Sequence, residues 1–406
     1  MASIENVTAS RLSQCILKGV NIRNLVRTVT IHESICSPYI TAEILLLDNS
    51  NVITNMKLEG GDPCHVIFDA FFGTNYNIEL FVLDYKGITS PENLDLKIYT
   101  ISFVTSEYYT DRVNTVSANS ALQQSGVELA QEIWKNEGFR QPLETPISDY
   151  PLQDGQQPFH VDLVKPFTAI GQMRDIMVFP DKTGNVLLYR DAQAENLVPL
   201  HHIYTTCFNQ LGKSGNKENS FIQKQTWGTN YTHLFGGERS FYSIIDVKAH
   251  SRAVMGIEKM AAPAGQTKRS TDQFAGKFGQ NLFIKNIATL GIIKAGQLGM
   301  SSFAATNSDR TSPEIDFSLV MERAKWYALC LKSQPQYLVK VPLQTGINIT
   351  VGKGVDIQLL PNRISKAHPD SGLHMITDLV HEVHNDLRVV NGTTTFQSIK
   401  TGACNV

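Results

Sequence analysis

Cysteine is scarce in this chain, and its spacing suits no cross-link. Cys15, Cys36, Cys64, Cys207, Cys330 and Cys404 are scattered through 406 residues without a C-x-x-C pair. That argues against a disulfide framework or a cysteine-ligated zinc module and leaves buried, reduced thiols as the expectation. Neither sign of charge is in excess: 36 Lys and Arg stand against 38 Asp and Glu, for a formal net charge of −2. A protein that wraps duplex nucleic acid needs clustered cations to neutralise phosphates, so no sequence-specific nucleic acid partner is expected. Long apolar runs are missing too. The start, MASIENVTASRLSQ, has no basic region followed by an apolar core, and no stretch is long enough to span a bilayer. Neither a secretory signal nor direct membrane insertion is therefore expected.

Motifs for catalysis and cofactors are equally thin. His381-Glu382-Val383-His384 is one residue short of the spacing that places two zinc ligands on one helical face, and the alternation around it is that of a strand, which sends His381 and His384 to opposite faces. Gly212-Lys213-Ser214 matches the tail of a phosphate-binding loop, but Cys207 stands where the earlier glycine is required, so the cradle of backbone N–H groups is lost. No G-x-S-x-G elbow is present, and His201-His202 reads as a surface pair. Asp84 and Asp378 stand in strand contexts where a pair of hydrolytic carboxylates is conceivable, although Asp84 reads as a solvated strand end before a turn. The expectation is a protein without a catalytic step, without catalytic, cofactor-binding or metal-binding residues, and without a cofactor.

What is present is β-structure, made twice. MKLEGGDPCHVIFDA, YNIELFVLDYKGIT and LDLKIYTISFVTSE follow one another near the start, and GINITVGKGVDIQLLPN, LHMITDLVHEVHN and TTTFQSIKTG repeat that order near the end. With Gly61 placed opposite Gly354, Cys64 falls opposite Ile357 and Val66 opposite Leu359. Apolar residues then occupy every second position of both copies, the period of a half-buried strand. Ile40, Ala42, Ile44 and Leu46 alternate likewise. Leu45 and Leu47 between them are apolar as well, so this strand is expected to be covered on both faces. The change of parity between Leu94, Leu96, Ile98 and the following Ile101, Phe103 predicts a β-bulge near Tyr99.

Between the copies the pattern turns to α+β. Ser125 and Glu128 form a capping box, Leu129, Ile133 and Trp134 an apolar stripe, and Gly138 a left-handed stop. A polar, proline-rich linker from 141 to 158 precedes a helix begun by Pro166, with Phe167, Ile170, Met173 and Met177 facing inward. A turn over 181–185 leads into a strand at Val186–Tyr189, and another strand is expected over 221–231. Residues 255–312 are rich in Gly, Ala, Ser and Thr and read as an arm, with a helix beginning at Ser312-Pro313. The predicted division is a first tube-like β-barrel domain at 1–110 and an α+β middle domain at 111–220. A second tube-like barrel follows at 221–234 and 335–406, split by an insertion at 235–334 with a helix near 313–332.

In this order, TVTIHESICSPYITAEILLLDNSNVI, then FVTSE leading to a capped helix, then KPFTAIGQMRDIMV, then a second, split β-module, the chain resembles the baseplate hub proteins of contractile-tailed bacteriophages. The hubs of the type VI secretion spike and of pyocins share that layout. The resemblance implies a mainly β fold with two antiparallel, tail-tube-like barrels and an α+β middle region. It also implies a structural, homotrimeric baseplate hub that presents six similar barrels to a six-fold partner. Its implied partners are further copies of itself, a trimeric central spike, a hexameric tail tube or tube-initiator protein, and the tape measure protein. The implied location is the tail baseplate of a virion assembled in the host bacterial cytoplasm, where the hub lines a DNA channel. A tube initiator or distal tail protein built from similar barrels, a secretion or tailocin homologue, and a cell-wall carbohydrate-active enzyme or binding module remain the alternatives.

Overall fold

The computed structural model describes residues 11–69, 75–89, 96–119, 124–147, 160–174, 177, 186–200, 202–203, 220–223, 242–251, 336–346, 349–359, 368, 370–385 and 390–400. The arm at 255–312, the helix near 313–332, Gly212-Lys213-Ser214 and His201 lie outside these. Among the described residues no helix is long and apolar enough to cross a membrane.

The N-terminal module contains β1 (Arg11–Leu17), β2 (Val20–Asn21), β3 (Val26–Ser34), β4 (Thr41–Asp48), the short helix α1 (Val52–Met56), β5 (Pro63–Asp69), β6 (Asn75–Thr89) and β7 (Lys97–Val104). Alternation decides which face goes inward. Ile40, Ala42, Ile44 and Leu46 are buried, as are Cys64, Val66 and Phe68 on β5 and Tyr99, Ile101 and Phe103 on β7. Leu45 and Leu47 are half-buried on the opposite face, so β4 is only partly covered there. The pairing order is β3-β4-β7-β6-β5-β1, with every neighbour antiparallel.

The C-terminal module contains β13 (Ser220–Gln223), β14 (Tyr242–Ile244), β15 (Asp246–Ser251), β16 (Gln336–Pro342), the single helical turn α5 (Leu343–Gly346), β17 (Gly354–Gln358), β18 (Gly372–Asn385) and β19 (Val390–Lys400). Its order is β15-β16-β19-β18-β17-β13. This repeats the first module strand for strand, including a short helix, α1 between β4 and β5 and α5 between β16 and β17. Only the last pair differs: β17 and β13 run parallel, whereas β5 and β1 are antiparallel. Residues 242–251, within the span read from sequence as the insertion, close this second ring. Their first part pairs with β13 and their last part with β16.

The two modules form one continuous sheet because β18 serves both. Along one edge β18 pairs with β19. Along the other it pairs first with β17 at 372–375 and then with β3 at 378–384. Val383 of β18 and Leu343 of α5 thereby enter the core of the first module, among Val29, Ile31, Ile44 and Phe103.

The middle region is α+β and has its own core. It comprises α2 (Ser106–Val113), β8 (Val116–Asn119), α3 (Gly126–Asn136), β9 (Leu143–Glu144), β10 (His160–Val164), α4 (Pro166–Arg174), β11 (Val186–Arg190) and β12 (Glu195–Pro199). The capping box at α3 forms as expected: Glu128 N donates to Ser125 Oγ and Ser125 N to Glu128 Oε2, both at 3.1 Å. Gly138 takes φ +73° just past the helix, the left-handed stop that glycine adopts without penalty. Trp134 stacks on Phe139 at 3.8 Å between ring centroids, and Phe167 of α4 continues the stack. Ile170, Met173 and Met177 are buried beneath it.

Further sequence expectations change. The bulge is not near Tyr99: β7 runs straight, with Tyr99, Ile101 and Phe103 inward and Ile98 outward. The register shift lies instead in β6, between Val82 and Asp84. No turn follows Asp84, because β6 continues to Thr89. Within the span read as the first β-barrel domain, α1 intervenes, and α2 precedes the capped helix. The first part of the presumed linker carries β9, which pairs parallel to β12.

Candidate assembly surface

Each module has one long strand whose second half extends beyond its short neighbour. In β18 that second half is used at the β18–β3 junction. Ser34 Oγ donates to Asp378 Oδ1 at 2.7 Å, Asn385 Nδ2 donates to the carbonyls of Arg23 and Val26, and Thr28 Oγ1 lies 3.3 Å from His384 Nδ1. Leu379 and Val383 face inward and are fully buried.

In β6 the corresponding half is exposed. β5 pairs with residues 75–81 only, and beyond Val82, whose N–H and carbonyl meet Asp62 and Gly61, no described strand adjoins this edge. Tyr85 N–H donates to its neighbour Asp84 Oδ1 at 2.8 Å. The outer edge of β15 is likewise without a described neighbour. Seven large apolar side chains are exposed among the described residues. Leu83, Tyr85 and Ile88 lie on the β6 edge and Ile245 immediately precedes β15, so four of the seven lie at two sheet edges. Open apolar edges of this kind favour pairing with another chain.

Beneath the junction is a buried polar cluster. Tyr76 of β6 donates to Glu33 Oε1 at 3.0 Å and meets the His381 ring edge-on at 5.4 Å, while His381 Nδ1 lies 2.9 Å from Thr394 Oγ1. Arg190 Nε lies 3.9 Å from Glu195 Oε1, with Glu107 and Asp191 near Glu195. Glu33, Glu107, Asp191 and Glu195 are all buried, and Arg190 is the cation that acts on Glu33 and Glu195. Burial pushes Glu33 up to about 8 and raises Glu195 well above the usual carboxylate range, while burial lowers His381 to about 4. At neutral pH the Glu33 carboxyl is held protonated and the His381 imidazole neutral.

Among the residues tested for chemistry, His381 is buried and His384 exposed, as a strand requires. His384 Nε2 faces Glu382 at 3.3 Å, so no metal pair forms. Asp84 and Asp378 do not converge. Asp378 bridges to Ser34 and Asp84 lies on the β6 edge, each in its own module. No group of three His, Cys, Asp or Glu side chains among the described residues is arranged to hold a metal. His202 lines an open cleft with Glu144, Asp191 and Lys353. In that cleft Asp191 Oδ1 accepts the N–H groups of Gln193 and Ala194, which fixes a turn. The exposed edges and the buried cluster were not singled out from sequence. The Leu83, Tyr85, Ile88 stretch was the one available signal, because apolar residues at mixed parity mark a strand that is not simply half-buried.

No family model matches the sequence, and no curated protein matches it. Solved structures do. A tail protein from Neisseria meningitidis MC58 aligns over 97% of this chain and 97% of its own, at TM-score 0.53 and 8% identity. The 43 kDa tail protein of prophage MuSo2 from Shewanella oneidensis aligns over 96% of this chain and 98% of its own, at TM-score 0.50 and 13% identity. A component of the E. coli type VI secretion system is more distant, at TM-score 0.47 and 9% identity over 96% of this chain and 76% of its own. From end to end, the chain has the mainly β fold of these two tail proteins.

Proposed function

We propose that the chain is a structural hub of a contractile phage tail baseplate. In this reading three copies join a trimeric central spike to a hexameric tail tube around the channel through which DNA passes. The observation that carries the reading is the duplication. Two modules of identical strand order lie in one chain and share one sheet, so three chains around an axis present six similar modules, as an adaptor between three-fold and six-fold partners requires. The first barrel, the α+β middle region and the second barrel are then the working domains, and the stretch from 252 to 335 is the part left to vary between β15 and β16. Near-neutral charge suits a channel that must not retain DNA. The buried cluster serves to fix the modules against one another rather than to catalyse a step.

Light scattering on a size-exclusion column at several concentrations tests this. A species of three 45.1 kDa chains is expected, and it should bind a trimeric spike on mixing. A hexamer would instead identify a tube-like component, and a monomer at every concentration, with or without the spike, would overturn the reading.

A further inference from the structure

The β18–β3 junction inside the chain has an unfilled counterpart. In β18 the bulge puts Thr377 out of register, and Asp378 follows it opposite Gln397. In β6 the bulge puts Leu83 out of register, and Asp84 follows it opposite Ser102. Counting on from the bulges, Leu379, His381, Glu382 and Val383 correspond to Tyr85, Gly87, Ile88 and Thr89. The first strands correspond in the same way. Val29 pairs with Ile44 as Val247 pairs with Val339, and Thr30 pairs with Glu43 as Lys248 pairs with Leu338. Exposure shows which counterpart lacks its neighbour: Thr377 is 4% and Leu379 0% exposed, whereas Leu83 is 40% and Tyr85 44% exposed.

We infer that the edge of β6 from Tyr85 to Thr89 pairs antiparallel with β15 of a second copy, in the register that β18 makes with β3. The inference rests on the trimeric reading and adds to it the strands and the register. Within one chain Val383 faces Val29, Glu382 faces Thr30 and His381 faces Ile31. Between chains Thr89 therefore faces Val247, Ile88 faces Lys248 and Gly87 faces Ala249. Both strands already hold one neighbour, β7 and β16 respectively, and among the described residues each has one edge without a neighbour. Repeated around an axis, the contact alternates with the internal junction and closes one sheet through every module. The occupant is a second copy because β15 holds the place of β3 in its module, in the equivalent register, and among the described residues its other edge has no neighbour.

Single cysteines test the register. In a background of Cys36→Ser, Cys207→Ser, Cys330→Ser and Cys404→Ser, the Ile88→Cys and Lys248→Cys chains are purified separately, mixed and oxidised. A disulfide-linked dimer that needs both chains is expected, because directly opposed residues meet disulfide geometry. Ile88→Cys mixed with Asp246→Cys, a diagonal pair, should cross-link at least about tenfold more slowly. Equal rates, or no cross-link in a preparation that light scattering shows to be trimeric, would overturn the register and leave the hub reading standing. A monomer without cross-links would overturn both. Hydrogen exchange on the unsubstituted chain gives an independent reading: in the trimer the amides of 85–89 should be protected as those of 379–383 are, and rapid exchange there would overturn the pairing.

Discussion

At the scale of single residues, the buried cluster makes stability depend on pH in two opposite ways. Glu33 ionises ordinarily near 4.5 but is held protonated to about 8 in the fold. The folded chain therefore binds the extra proton between those values, and stability falls as pH rises through that window. Glu33→Gln keeps an acceptor for Tyr76 and removes the ionisation. Urea denaturation should find it within about 0.5 kcal/mol of the parent at pH 5 and at least about 2 kcal/mol more stable at pH 9. A loss at pH 9 would show instead that the carboxylate is stabilised there. His381 of the cluster, and outside it His374 of β18, whose Nε2 lies 2.9 Å from the Asp370 carbonyl, are both lowered from 6.5 to about 4 by burial and act in the opposite sense. The unfolded chain takes up their protons first, so stability falls as pH drops from about 6.5 through about 4, by at most about 3 kcal/mol for each. His381→Gln should make that acid slope shallower. The opposed faces of His381 and His384 were legible from strand period alone. The pairing of Glu33 with Tyr76 was not, because residues 43 positions apart are joined by a register that only the assembled sheet defines.

At the scale of elements, local chemistry was readable where it closes on itself. The α3 capping box lies within four residues, and both of its bonds form. Ser125→Ala should cost about 1 kcal/mol in chemical denaturation. Parity within β7 was misread because Tyr99, counted as the site of a bulge, is an inward residue whose hydroxyl bonds Thr54 Oγ1 at 2.7 Å. The true bulge belongs to the partner strand, and one strand's sequence does not carry its neighbour's register. Contacts between distant elements were equally hidden. A Cβ added at Gly392 of β19 would lie 2.5 Å from Leu343 Cδ2, the side chain that α5 inserts into the first module's core. Gly392→Ala should therefore destabilise by roughly 1–3 kcal/mol and loosen α5, read as faster hydrogen exchange at 343–346.

At the scale of the molecule, the duplication was visible in sequence and the shared strand was not. Gly61 opposite Gly354 aligned two modules, but nothing in either copy announced that β18 continues into the first one. Because Val383 is fully buried in the first module's core while β18 also pairs with β17 and β19, Val383→Ala should lower both modules together. Calorimetry should show one transition shifted down, equivalent to roughly 1–3 kcal/mol, and two separated transitions would contradict a single cooperative sheet.

The shared strand also sets a timetable for synthesis. The first module is translated first, yet its β3 edge waits for a strand whose contact residue His384 lies 356 positions after Thr28. At about 5–20 residues per second, the ribosome leaves that edge open for roughly 20–70 s. The nascent first module therefore passes through a window in which it can capture the wrong strand, and its final closure waits for the synthesis of β18.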